Sequence, residues 1–191
     1  MKPNTITTLR LLLLPVIILV DQLQSYYLAL FLIILAFFTD YLDGYISRKY
    51  NKVTTVGVFY DHFVDKIFVH GLLLLYLSQS LLPFYIVALL LLRDYLALGF
   101  RHYAISKQVV VASVMSGKIK LGLQGLLIIL ISVGKFHSIS ENMTFIFAIV
   151  VVIWSFYSLI DLLIKNKKIV EDIPNTFKPY RVTCVILKKT K

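Results

Sequence analysis

Four aspartates and two glycines in the second quarter of the chain have the types and spacing of a metal–phosphate site. Asp40, Asp43, Gly44, Ser47 and Arg48 stand at i, i+3, i+4, i+7 and i+8, which is one face of a helix. Gly57, Asp61 and Asp65 follow at i, i+4 and i+8, again one face. Two antiparallel helices joined by a short loop would bring these faces together at one depth. Four carboxylates so close repel one another unless some are protonated or a cation sits among them. Oxygen-only ligands suit magnesium, manganese or calcium. Two such ions bridging a pyrophosphate would stabilise the attacking and leaving oxygens of a phosphoryl displacement. Each glycine removes a side chain from the metal-facing stripe, so a phosphate or nucleotide can approach the backbone. A plainer account makes the aspartates surface carboxylates paired with Arg48, Lys52 and Lys66. Four in phase on adjoining helices, with two in-phase glycines, favour the site.

The elements that would carry these residues are membrane helices. Of the 191 residues, 59% are hydrophobic, above the roughly 45–50% of soluble domains. The net charge is +10, which suits an anionic membrane surface. Nucleic acid is not an expected partner, because every basic stretch adjoins an apolar run. A span needs about 20 mostly apolar residues, and six are read: about Ile6 to Leu23, Tyr26 to Arg48, Gly57 to Leu77, Pro83 to Tyr103, Lys118 to Val133 and Met143 to Ile164. The first is not a signal peptide, since its apolar run ends at Asp21-Gln22 without a small-residue cleavage site. Lysines and arginines cluster at the start, between spans two and three, between four and five, and after six, while the opposite connections hold only Lys135 with Asp21 and Glu141. Both termini are therefore expected in the cytoplasm. The expected fold is all-α and polytopic. Residues 1–164 form one membrane domain and 165–191 a polar, basic cytoplasmic tail. The single cysteine, Cys184, can form no internal disulfide.

The aspartate-bearing segment resembles the signature of the CDP-alcohol phosphatidyltransferase family, D-x2-D-G-x2-A-R-x8-G-x3-D-x3-D. Every spacing is matched, and seven of eight specified positions agree, with Ser47 in place of the usual Ala. The resemblance implies six spans, a cell-membrane location and chemistry at the cytoplasmic face. It implies two divalent ions, Mg2+ or Mn2+, held by Asp40, Asp43 and Asp61 at one site and Asp40, Asp61 and Asp65 at the other. Asp65 would also be the catalytic base on the acceptor hydroxyl. Gly44, Arg48, Thr54 and Asn4 would contact the CDP-lipid, CDP-diacylglycerol. Nothing in the spacing by itself selects cytidine. A homodimer is compatible with this reading.

The opening Pro3-Asn4-Thr5-Ile6-Thr7 through Arg10 resembles the branch of the family whose acceptor is glycerol 3-phosphate. So do Arg93-Asp94-Tyr95, Gly99-Phe100-Arg101, Val111-Ala112-Ser113, Gly117-Lys118-Ile119-Lys120 and Gln124. Arg93 and Arg101, eight residues apart, share a helix face, and with Lys118 and Lys120 they would bind the acceptor phosphate. Positive-inside anchoring accounts equally well for the lysines and Arg101. Two positions depart from that branch. Asp94 stands where Glu is usual, as in the branch that uses phosphatidylglycerol as acceptor, and His62 stands where Pro is usual. His70, His102 and His137 show no ligand spacing. Cardiolipin-forming or inositol-lipid-forming transferases are thus the near rivals, distinguished by which alcohol releases CMP. A divalent-cation carrier is the rival of another class, but carriers place ionisable groups near the bilayer midplane. An inactive scaffold is disfavoured by the intact aspartates.

Overall fold

The computed structural model describes residues 3–49, 55–106, 114–137 and 140–167, with side chains over 10–39, 63–104, 114–137, 140 and 142–167. Among the described residues the chain is all-helical: α1 Pro3–Gln22, α2 Tyr26–Lys49, α3 Thr55–Ser78, α4 Phe84–Ser106, α5 Met115–Gly134 and α6 Glu141–Lys165. Leucine, isoleucine, phenylalanine and alanine fill these segments, and short connections return each helix against its predecessors. Two turns show how. After α1, Gln24 takes φ 59° and Ser25 N–H donates to the Val20 carbonyl at 3.2 Å. After α3, Ser80 takes φ 59° and Leu81 N–H donates to the Tyr76 carbonyl at 3.0 Å. Both close the helix with a left-handed residue that satisfies terminal carbonyls, without the glycine usual there.

α1 packs against both α2 and α3, α5 against α6 and α2, and α4 against α6 and α3. Gly71 permits the α1–α3 approach, since a Cβ there would lie 2.6 Å from Leu14 Cδ2. Ile17, Ile33, Phe68, Leu72, Leu90, Leu127 and Ile128 form the interior. The outer surface is apolar too: Leu12, Phe31, Phe84, Ile146, Ile153 and Ile164 are all exposed. A bundle that is apolar inside and out is suited to a solvent as apolar as its own core.

The helix count agrees with six expected spans, but the apolar lengths do not. Among the described residues, Met115–Gly134 and Asn142–Lys165 are long and apolar enough to cross a bilayer, and Tyr26–Thr39 is apolar but shorter. The other helices are interrupted by ionisable side chains: Arg10 and Asp21 in α1, Asp65 and Lys66 in α3, and Arg93, Asp94 and Arg101 in α4. Helix α5 begins at Met115, a turn before the expected start at Lys118. Lys118 and Lys120 therefore lie within it rather than at its edge.

Candidate active site

The geometry of a helix pair sets the depth of the aspartates. Phe37 of α2 meets Phe68 of α3 edge-on, with ring centroids 5.8 Å apart. Asp40 is three residues beyond Phe37 and Asp65 three before Phe68, so in antiparallel helices both backbones rise about 4.5 Å from that contact toward the same end. Asp43, Gly44 and Arg48 continue along α2, and Asp61 along α3. The side chains of Asn4, Asp40, Asp43, Arg48 and Asp61 lie outside the described set, as does the whole of Thr54. Among the described side chains no trio of His, Cys, Asp or Glu converges. The donor set nonetheless fits hard divalent ions: it is oxygen-only, and its one described member, Asp65, already takes a cationic partner.

That partner is Arg10 of α1, whose guanidinium donates to Asp65 Oδ1. Arg10 is 2% exposed, so it is no loop charge. The signal for this contact was present in the sequence. An arginine inside an apolar span needs an internal partner, and a carboxylate inside another span is a natural one. Lys66, considered above as a partner of the aspartates, instead donates to the Asp94 carbonyl at 2.8 Å.

Next to Asp65 is a small cavity of about 70 Å³, lined among others by Asp65, Lys66, Arg93, Asp94, Arg101 and Lys120. That is room for several water molecules or one compact anion. The structure thus brings Arg93, Arg101 and Lys120 together beside Asp65. It does not bring Lys118, which is exposed and outside this lining. Two residues along a helix are about 200° apart, so one lysine of the pair faces in and the other out. Anchoring does not account for Lys120, which is 2% exposed.

The cations are not equivalent. Arg93 clamps α4 to α6: its Nε donates to the Ser155 carbonyl at 2.7 Å and its Nη2 to Ser158 Oγ at 2.8 Å, while Nη1 donates to Asp94 at 2.9 Å. Lys120 Nζ donates to both oxygens of Asp94, at 2.5 and 2.6 Å. Nε of Arg101 is buried without a hydrogen-bond partner among the described residues. Lys66, Arg93, Arg101 and Lys120 bring four positive charges against two from Asp65 and Asp94, and Asp65 is also paired with Arg10. The cavity therefore has a positive surplus in surroundings of low polarity, where such a surplus attracts an anion strongly. His70, unassigned from spacing, lies with its Nε2 3.1 Å from Asp94 Oδ2. It is four residues after Lys66, so both face α4, a periodicity that the sequence carried.

Aspartates on α2 and α3, with Asp65 beside a buried cavity that carries a positive surplus, would suit phosphoryl transfer between a metal-bound diphosphate and an anionic acceptor. Known sequences agree. The chain is similar to the CDP-diacylglycerol–glycerol-3-phosphate 3-phosphatidyltransferase of Bacillus subtilis, 32% identical over 162 residues, which is 76% of this chain and 82% of that one. The enzyme of the same name from Rickettsia felis is 34% identical over 125 residues, 64% of this chain and 69% of the relative. That from Rickettsia bellii is 38% identical over 104 residues, 53% and 58% respectively. The sequence model of CDP-alcohol phosphatidyltransferases matches residues 1–155, from α1 into α6, and the chain belongs to that family.

Proposed function

We propose that this enzyme transfers the phosphatidyl group of CDP-diacylglycerol to glycerol 3-phosphate, releasing CMP and forming phosphatidylglycerophosphate. The observation that carries the acceptor is the positive surplus beside Asp65. A phosphate monoester is a dianion near neutral pH, whereas the phosphodiester of phosphatidylglycerol carries one negative charge. Four cations face two carboxylates there, Asp94 and an Asp65 already paired with Arg10, and that surplus matches the dianion better. The relatives' names support the same acceptor.

Asp40, Asp43, Asp61 and Asp65 would hold two magnesium or manganese ions, which supply charge stabilisation to the diphosphate when bound. Asp65 accepts the proton of the acceptor hydroxyl, whose oxygen bonds to the phosphorus bearing the diacylglycerol as the bond from that phosphorus to CMP breaks. Asn4, Gly44, Arg48 and Thr54 contact the CDP portion. Arg101 receives the acceptor phosphate with Lys120 and Lys66, and Arg93 holds the wall of the pocket. Lys118 serves at the membrane surface.

All six helices cross the membrane in this reading, with both termini and the active site on the cytoplasmic side. Residues 1–164 form the membrane domain and 165–191 a basic tail. The charges that shorten the apolar runs of α1, α3 and α4 do not oppose this, because Arg10 with Asp65 and Arg93 with Asp94 form ion pairs inside the bundle. A second reading, with phosphatidylglycerol as acceptor and cardiolipin as product, draws on Asp94 in place of glutamate.

The test is CMP release by purified enzyme from labelled CDP-diacylglycerol with glycerol 3-phosphate, phosphatidylglycerol or inositol compounds. Glycerol 3-phosphate is expected to support turnover, chelation to abolish it, and magnesium or manganese to restore it. Consumption of phosphatidylglycerol alone would overturn the acceptor, and full turnover after exhaustive chelation would overturn the metal chemistry.

A further inference from the structure

Asp94 is 2% exposed, and its carboxylate, in the cavity wall, faces Lys120, Arg93 and His70. Lys120 grips both of its oxygens, at 2.5 and 2.6 Å, and Arg93 Nη1 shares Oδ1 at 2.9 Å. His70 Nε2 lies 3.1 Å from Oδ2, where a ring N–H facing a carboxylate donates. Lys66 ends on the Asp94 backbone carbonyl. A carboxylate next to an anion site repels the anion, so its presence calls for another contribution. Here that contribution is geometric. The ammonium of Lys120 rides on a flexible four-carbon stem, and the two short bonds to Asp94 fix its position. The guanidinium of Arg93 is already held on two sides by α6, and Asp94 joins that clamp to α5.

We propose that Asp94 is a positioning residue of the acceptor-phosphate pocket, with His70 fixing the orientation of its carboxylate. The pair sets where the cationic ends of Lys120 and Arg93 stand and does not itself touch substrate. The proposal rests on reading the cavity as the acceptor-phosphate site. It separates cleanly from a purely electrostatic part for Asp94, because the two predict opposite signs. Removing a merely repulsive charge would tighten acceptor binding, whereas releasing positioned cations weakens it.

The experiment compares wild type, Asp94→Asn, Asp94→Glu and His70→Phe as full-length purified enzymes, measuring KM for each substrate, kcat and the melting temperature. Asp94→Asn should raise the acceptor KM about tenfold or more, as expected when charge-assisted bonds are lost, and leave the CDP-lipid KM within about twofold. Asp94→Glu, which restores the charge, should recover most of that loss. His70→Phe keeps a ring but removes the donor, and should raise the acceptor KM in the same direction by about threefold. This milder variant decides the matter if Asp94→Asn does not fold. An unchanged or lower acceptor KM in Asp94→Asn overturns the proposal, as does a rise in both KM values to the same extent. If the wild type releases CMP only with a different phosphate-bearing acceptor, the identity of the acceptor falls. The KM split measured with that acceptor still tests Asp94.

Discussion

At one end of the bundle Lys135 donates to Asp21 at 2.5 Å, both side chains less than a tenth exposed. At the other, Lys120 donates to Asp94, equally buried. The Asp21 end has the larger cleft, about 450 Å³ against about 70 Å³. It also has its own polar fittings: Gln79 Nε2 donates to Asp21 at 2.5 Å, and the Lys135 ammonium lies 5.0 Å from the ring centre of Tyr76 and 5.4 Å from that of Tyr26. Yet its charged lining residues, Asp21 and Lys135, cancel, while those of the smaller cavity leave a positive surplus. Neither burial of charge nor the larger cleft marks the end that would take an anion. The uncompensated charge does, since a balanced pair already has its partner and a surplus needs one from outside.

This contrast can be broken most decisively at the reacting group. Asp65→Asn should reduce turnover by about a hundred- to ten-thousandfold, whereas Asp21→Asn should leave kcat of the folded enzyme close to wild type. CMP release assayed beside CDP-lipid binding checks this. If Asp65→Asn kept more than about a tenth of the rate, another residue would have to be the base. At the balanced end the loss is one of stability. Lys135→Ala leaves Asp21 buried without its counter-charge, Gln79 still donating to it, and should cost about 3–5 kcal/mol. The double variant Asp21→Ala/Lys135→Ala should be less destabilised than Lys135→Ala alone. Thermal unfolding in detergent measures both, and a double variant as unstable as the sum of the singles would remove the pair from the account.

The surplus itself is sharpened by two neighbouring substitutions. Arg101→Ala should raise the acceptor KM roughly tenfold to a hundredfold, corresponding to about 1.5–3 kcal/mol for a charge-assisted hydrogen bond. Lys118→Ala, on the exposed face of α5, should change it little. Equal effects would mean that overall charge, not the cavity, attracts the acceptor. The smallest effect belongs to the turn that shapes the balanced end. Ser80→Gly relieves a left-handed serine and should stabilise the protein by at most about 1 kcal/mol, with both KM values unchanged.

The sequence by itself determined the helices, and it carries the expectation for the chemistry of the site. The six segments read as spans are helices among the described residues, though two of them are long and apolar enough to cross a bilayer. The aspartate and glycine spacing could be read because a helix imposes its period on neighbours in the chain. The same period put Arg93 and Arg101 on one face, and the structure has both lining one cavity. What spacing along single helices could not specify is which faces of different helices meet. Arg10 and Asp65 are 55 residues apart, and Lys120 and Asp94 are 26 apart. Each read alone as a cost within a span or an anchor at its edge. Only the packing of α1 on α3, and of α4 and α5 around one cavity, decided that Arg10 would face a carboxylate, that Lys120 would point in and Lys118 out, and that Asp94 would gather the cations. The physical reason is that a buried charge must find its partner within the bundle, and that partner is selected by distance in space rather than along the chain.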